Sequence, residues 1–257
     1  MSVLSFFADL LFPPHCIACG ARCKRDLMDP CKIPLCEVCR LAWEKEKTET
    51  CSRCGKELLS CRCASGNMSK AGIGESIKLI HYRGNRKTVG GCAILRMKRQ
   101  RNMRAFRFFA DQLFYPISRY MKEKGLDTDK VRFCYVPRSR RSVSHYGFDQ
   151  AECLCRTLSG RMGVPFLPLF QRKGRSDPEQ KHLSAREREQ NAKQRFALCD
   201  TEIPSGVECL FLVDDVITTG ASTSACAALL KGRFSGTIVG VSLARTPLTH
   251  QKAVEKG

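Results

Sequence analysis

Apolar residues fall along this chain in two periods, one suited to strands and one to helices. Residues 210–213, Leu-Phe-Leu-Val, form a continuous apolar run, the pattern of a strand covered on both faces of a parallel sheet. Further strands are predicted over 73–82, through Ile77, Leu79 and His81, over 131–136 ending at Pro137, over 164–170 and over 237–243. Between them the spacing turns helical. Residues 88–97 predict one helix and 104–124 a longer one, with Phe106, Phe109, Ala110, Leu113, Phe114, Ile117 and Met121 on one face and a kink at Pro116. Residues 148–162 place Ala151, Leu154, Cys155, Leu158 and Met162 at the same period. Ala225, Ala227, Ala228, Leu229 and Leu230 read as a helix after the apolar run, and residues 3–12 as a short amphipathic one. Strands alternating with helices predict an α/β domain, a parallel sheet with helices on both faces.

The polar stretches divide the chain. Residues 64–70, rich in Ser, Gly and Asn, read as a linker between a small unit at 1–66 and a larger one at 67–257. Residues 83–86 turn the chain, and 172–194 form a charged surface segment. Residues 138–147, Arg-Ser-Arg-Arg-Ser-Val-Ser-His-Tyr-Gly, are basic and hydroxylated without a hydrophobic period, which describes an anion-binding loop.

Cysteine usage sets the chemistry of the small unit. The chain has 17 cysteines, an odd number clustered early, unlike the short, even-numbered frameworks of secreted proteins. The early ones form Cys16-x-x-Cys19, Cys36-x-x-Cys39, Cys51-x-x-Cys54 and the tighter Cys61-x-Cys63, with Cys23 and Cys31 left over. Each CxxC lets two thiolates converge on one ion, and two pairs complete a tetrahedral Zn²⁺ site. Pairing in sequence order predicts one zinc on Cys16, Cys19, Cys36 and Cys39 and a second on Cys51, Cys54, Cys61 and Cys63. A crossed pairing is the alternative. The unit has little apolar material of its own, so bound metal would staple it. Free thiols imply a reducing compartment, and no apolar run approaches a membrane span. Together these predict a cytoplasmic protein.

The apolar run at 210–213 opens into Asp214-Asp215-Val216-Ile217-Thr218-Thr219-Gly220-Ala221-Ser222. Backbone N–H groups of such a turn, with the free donors of the following helix, suit an anion, and Gly220 admits close approach. Two carboxylates beside a phosphate cannot be there to bind the phosphate. They accept hydrogen bonds from sugar hydroxyls or ligate a metal ion, and a ribose 5-phosphate satisfies both halves.

Charge adds a third signal. Lys plus Arg total 44 against 25 Asp plus Glu, giving a formal net charge of +19, the sign for an anionic partner. From Lys78 to Arg107 there are ten cations and no acid, and Arg96, Lys98, Arg99 and Arg101 are the candidate DNA-binding residues.

The 213–222 stretch resembles the phosphoribosyl pyrophosphate (PRPP) motif of the type I phosphoribosyltransferases. That resemblance implies a PRPP site on Val213, Asp214, Asp215, Val216, Thr218, Thr219, Gly220, Ala221 and Ser222, with Mg²⁺ accompanying the ligand. Asp214 and Asp215 would hold the ribose hydroxyls and serve as catalytic residues, and Arg138 would face the pyrophosphate. Taken whole, the chain resembles the ComF-type competence proteins. The matching pieces are the cysteine array, Leu95-Arg96-Met97-Lys98, a Val-Pro strand end, Gly147-Phe148-Asp149-Gln150-Ala151, then Gln180, Leu183, Arg186 and Asn191 before the PRPP motif. Two departures are Tyr146 where the family has Arg, and the CxC pair. The resemblance implies a role in natural transformation, with single-stranded DNA as partner on the cytoplasmic side of the membrane, beside other DNA-uptake proteins. An active phosphoribosyltransferase and a PRPP-sensing regulator of nucleic-acid binding remain as alternatives.

Overall fold

The computed structural model describes residues 15–23, 33–84, 87–173 and 195–247. The helix expected at 3–12, Cys31, and Gln180, Leu183, Arg186 and Asn191 lie outside them, as do part of the 83–86 turn and most of the 172–194 segment.

A four-stranded parallel sheet organises the molecule, in the order β1 (Glu75–His81), β6 (Thr237–Arg245), β5 (Cys209–Ile217), β2 (Val131–Tyr135). Along β5, Phe211 and Val213 face one half of the core and Leu210 and Leu212 the other, the period-2 consequence of a pleated strand. The first half is filled from α3 (Val89–Gln100), α4 (Met103–Lys124) and α6 (Gln150–Met162), and the second from α2 (Gly66–Lys70) and α7 (Ala221–Leu229). Helices therefore cover both faces, as the pattern predicts. A two-stranded antiparallel ribbon, β3 (Phe170–Arg172) with β4 (Phe196–Leu198), closes one flank.

Three segments differ from expectation. Residues 164–170 form no long strand. Phe166 alone bridges the edge of the sheet at Phe133, because Pro165 and Pro168 have no N–H to give a ladder. Residues 138–147 are not a loop but carry α5 (Arg140–Tyr146), capped by Ser139 Oγ accepting from the Ser142 N–H at 3.1 Å and ended by Gly147 at φ 76°. No residue of α5 is buried, so it has no hydrophobic period to betray it. The linker at 64–70 is packed structure: α2 buries Met68 completely.

The cysteine-rich segment joins the same core. Its helix α1 (Glu37–Lys47) packs Trp43, 1% exposed, against Phe108 and Phe109 of α4, and the indole N–H donates to Gln112 Oε1 at 3.1 Å. Glu46 of α1 accepts the Val89 and Gly90 N–H groups at 2.6 and 3.0 Å, satisfying the free donors of α3. A Cβ on Gly90 would lie 2.1 Å from Ile80, so only glycine lets α3 approach this closely.

Candidate functional site

Strand β5 runs on past the end of β2, and the acid pair lies within it rather than after it. Tyr135 pairs with Val213 and ends β2, whereas Asp214 still pairs with Ser242 of β6. The uncovered side is filled by cations. Arg138, just beyond β2, places its guanidinium on Asp215 Oδ1 and 3.7 Å from Asp214 Oδ1. Lys98, near the end of α3, puts Nζ 2.9 Å from Asp215 Oδ2. Arg138 is held in turn by Asp149, whose Oδ2 accepts the Arg138 N–H at 2.6 Å while Oδ1 caps α6 through the Ala151 and Glu152 N–H groups.

The two acids differ in consequence. Burial disfavours ionisation of Asp215, but the Arg138 and Lys98 charges overcome it and hold the carboxyl below its usual range. Asp214 is raised to about 7, by burial first and by the neighbouring Asp215 charge, against the more distant Arg138. Arg138 itself is held above its usual value by Asp215, Asp214 and Asp149 despite burial.

Thr218, Thr219 and Gly220 then turn the chain into α7. Gly220 takes φ 79°, a left-handed conformation that a Cβ would strain. Asp214 and this turn share a cavity of about 260 Å³ lined by Tyr82, Lys98, Arg138, Asp214 and residues 216–223, while Asp215 is fully buried against Arg138 and Lys98. One carboxylate, two cations and the start of a nine-residue helix thus face the same space. A wider depression of about 410 Å³ lies against the second cysteine group, but its only acid, Glu75, is engaged by Tyr120 and Lys124.

Both cysteine tetrads assemble in sequence order. The sulfurs of Cys16, Cys19, Cys36 and Cys39 lie within 4.8 Å of one another, and so do those of Cys51, Cys54, Cys61 and Cys63. The Cys19–Cys36 and Cys54–Cys61 sulfurs are each 3.6 Å apart, near the ~3.8 Å edge of a tetrahedron with zinc–sulfur bonds of about 2.3 Å. Backbone N–H groups reach Cys19 Sγ from Ala21 at 3.5 Å and Cys61 Sγ from Cys63 at 3.4 Å. The CxC pair thus closes its tetrad as well as the CxxC pairs do. The second group has a further mark. Lys78 and Arg245, both 1% exposed, lie against it, and no carboxylate among the described residues pairs with either. Lys78 Nζ is 2.9 Å from Cys61 Sγ and 3.0 Å from the Cys61 carbonyl, and Arg245 donates to the Cys63 carbonyl. Burial would raise the Cys61 thiol, yet Lys78 holds it below its usual value. Two buried cations beside four thiols fit a thiolate centre that retains negative charge after binding Zn²⁺.

The four candidate DNA-binding residues are not brought onto one surface. Lys98 faces the acid pair, and Arg96 donates to the Cys19 carbonyl at 3.1 Å. Arg99 and Arg101 are exposed, together with Arg104 and Arg107 at the start of α4. Sequence reading did not assign Lys98 or Asp149 to the acid pair. The only signal was their position, at the end of one helix and the start of another. Among the described residues no helix is long and apolar enough to cross a membrane.

No family model matches the chain. It is 34% identical over 115 residues to DNA utilization protein YhgH of Salmonella typhi, covering 45% of this chain and 49% of that protein. It is 34% identical over 85 residues to Competence protein F of Haemophilus influenzae, covering 33% and 37%. The likeness to Competence protein ComFC of Streptococcus pneumoniae is lower but longer, 26% over 250 residues, covering 90% of this chain and 99% of that one. The matched stretch thus spans about half the length of YhgH and nearly all of ComFC.

Proposed function

We propose that this chain is a ComF-type competence protein, as its likeness to ComFC, Competence protein F and YhgH supports, and that it serves DNA uptake as a cytoplasmic, zinc-containing protein that binds PRPP and single-stranded DNA. The observation that carries the PRPP reading is that Asp214 and the Thr218–Gly220 turn line one cavity, with Asp215 buried beside them against Lys98 and Arg138. Ribose hydroxyls would donate to Asp214 and Asp215, and the 5′-phosphate would take the N–H groups of the turn and of α7. Lys98 and Arg138 neutralise the acids in the ligand-free protein and are the cations nearest an incoming pyrophosphate. Mg²⁺ would sit among the ligand's own phosphate oxygens and spread their charge. Asp215→Asn keeps the shape and removes the charge that holds both cations. It should weaken PRPP binding about tenfold or more in calorimetry with Mg²⁺. Wild-type protein giving no heat with millimolar PRPP would overturn the reading.

For DNA, Arg99, Arg101, Arg104 and Arg107 form the exposed basic surface, beside Arg140 and Arg141 of α5, which lies against α3. Single-strand affinity should fall steeply with salt. Replacing those four arginines of α3 and α4 by alanine should flatten the slope of log K against log salt by about 3, at roughly 0.7 per phosphate contact. An unchanged slope places the strand elsewhere. Whether transfer follows binding is read by pyrophosphate release with a panel of nucleobases.

A further inference from the structure

The turn that would receive the phosphate is held from behind. The Thr219 carbonyl accepts two hydrogen bonds from the start of α2, from the N-cap Ser65 Oγ at 3.1 Å and from Asn67 Nδ2 at 3.3 Å. The Thr219–Gly220 peptide is trans, so its N–H is directed opposite to its carbonyl. Ser65 and Asn67 stand outside the 260 Å³ cavity and the turn lines it, so fixing the carbonyl outward turns the Gly220 N–H toward the ligand. A peptide next to a glycine flips readily when nothing holds it, and a flipped one would present an oxygen to an anion. The fit behind the turn is close. A Cβ on Gly220 would lie 2.6 Å from Ser65 Oγ and 2.8 Å from Met68 Cγ.

What holds Ser65 is the second cysteine tetrad. Ser65 lies two residues after Cys63, Arg53 donates to the Ala64 carbonyl at 3.2 Å, and Lys78 and Arg245 both donate to the Cys63 carbonyl. Met68 then anchors the far end in the core.

We infer that Ser65 and Asn67 are positioning residues of the anion-binding turn, so that the second tetrad is part of the scaffold of a sugar-phosphate site. This rests on reading the turn as the 5′-phosphate cradle. Ribose 5-phosphate and inorganic phosphate are the probes, titrated calorimetrically against the full chain with its zinc content measured. Asn67 is half-buried, and Asn67→Asp keeps its shape while setting a carboxylate against the Thr219 carbonyl. Ser65 also caps α2, its Oγ accepting from the Met68 N–H at 3.4 Å, so Ser65→Ala removes both contacts and Ser65→Thr restores both. Asn67→Asp and Ser65→Ala should each weaken both probes by about 3- to 10-fold. Ser65→Thr should return to within about twofold of wild type, and zinc content and the salt slope of DNA binding should not change. Wild-type affinity in Asn67→Asp and Ser65→Ala overturns the positioning role. A wild-type protein that binds neither probe overturns the cradle reading itself, and the positioning role with it.

Discussion

The two cysteine tetrads use the same ligands in the same order, yet they sit in different surroundings. The first is attached by apolar packing: Cys16, Ile17, Leu35, Cys39 and Trp43 join the core beneath α3 and α4. Arg96 touches its rim at the Cys19 carbonyl. The second rests on Lys78, from the middle of β1, and Arg245, from the end of β6, both buried, and its own apolar cluster is Leu58 with cysteines. Four thiolates around Zn²⁺ leave two negative charges, and two buried cations balance them. One centre is anchored by area, the other by charge. A buried charge is tolerable only with its counter-charge present, so the second centre and the sheet beneath it require each other.

Trp43→Ala should cost about 3–5 kcal/mol in urea unfolding whether or not the second zinc is present, because it leaves a cavity beside Phe108 and Phe109. Lys78→Met should cost about as much, roughly 3–5 kcal/mol, in zinc-loaded protein, and become neutral or stabilising once chelator has removed the metal. A cost that is the same with and without zinc would show Lys78 to be ordinary packing and erase the contrast.

The acid pair repeats the comparison in carboxylates, Asp215 with two cations close and Asp214 with Arg138 alone, farther off at 3.7 Å. Asp214, raised to about 7, is protonated below that pH and accepts hydroxyls as a carboxylate above it. Ribose 5-phosphate affinity should therefore rise from pH 6 to pH 8, by up to about tenfold. In Asp214→Asn only the part due to phosphate ionisation should remain. An equal rise in both proteins would assign the whole effect to the ligand. The smallest effect is expected at the rim of the first tetrad, where Arg96→Ala should cost about 1 kcal/mol.

The sequence made the PRPP-like stretch readable because its parts are contiguous: the apolar run, the acids and the Thr-Thr-Gly turn follow one another along β5. Both tetrads were equally local, since each pair spans two or three positions. What stayed hidden depends on distance along the chain. Lys98, Asp149, Ser65 and Asn67 reach the site through the packing of α3, α6 and α2, and no periodicity records that. Lys78 and Arg245 were misleading in the opposite sense. By composition they belong to a solvated basic surface, and only the fold shows them buried against sulfur. α5 went unseen because a helix that buries nothing leaves no apolar stripe.

The strand order has a consequence for how the molecule is made. β1 and β2 are synthesised first and end up at the outside of the sheet, while β5 and β6, synthesised last, fill the two places between them. Until β6 leaves the ribosome, β1 has no partner strand, β2 has only β5, and Lys78 waits for the cation that shares its cluster. Cysteine centres can capture metal early, from short-range loops, but the sheet closes only in a late step of long-range pairing, which is intrinsically slow. A nascent chain stalled before residue 237 would carry metal-stapled ribbons on an open, aggregation-prone half-sheet.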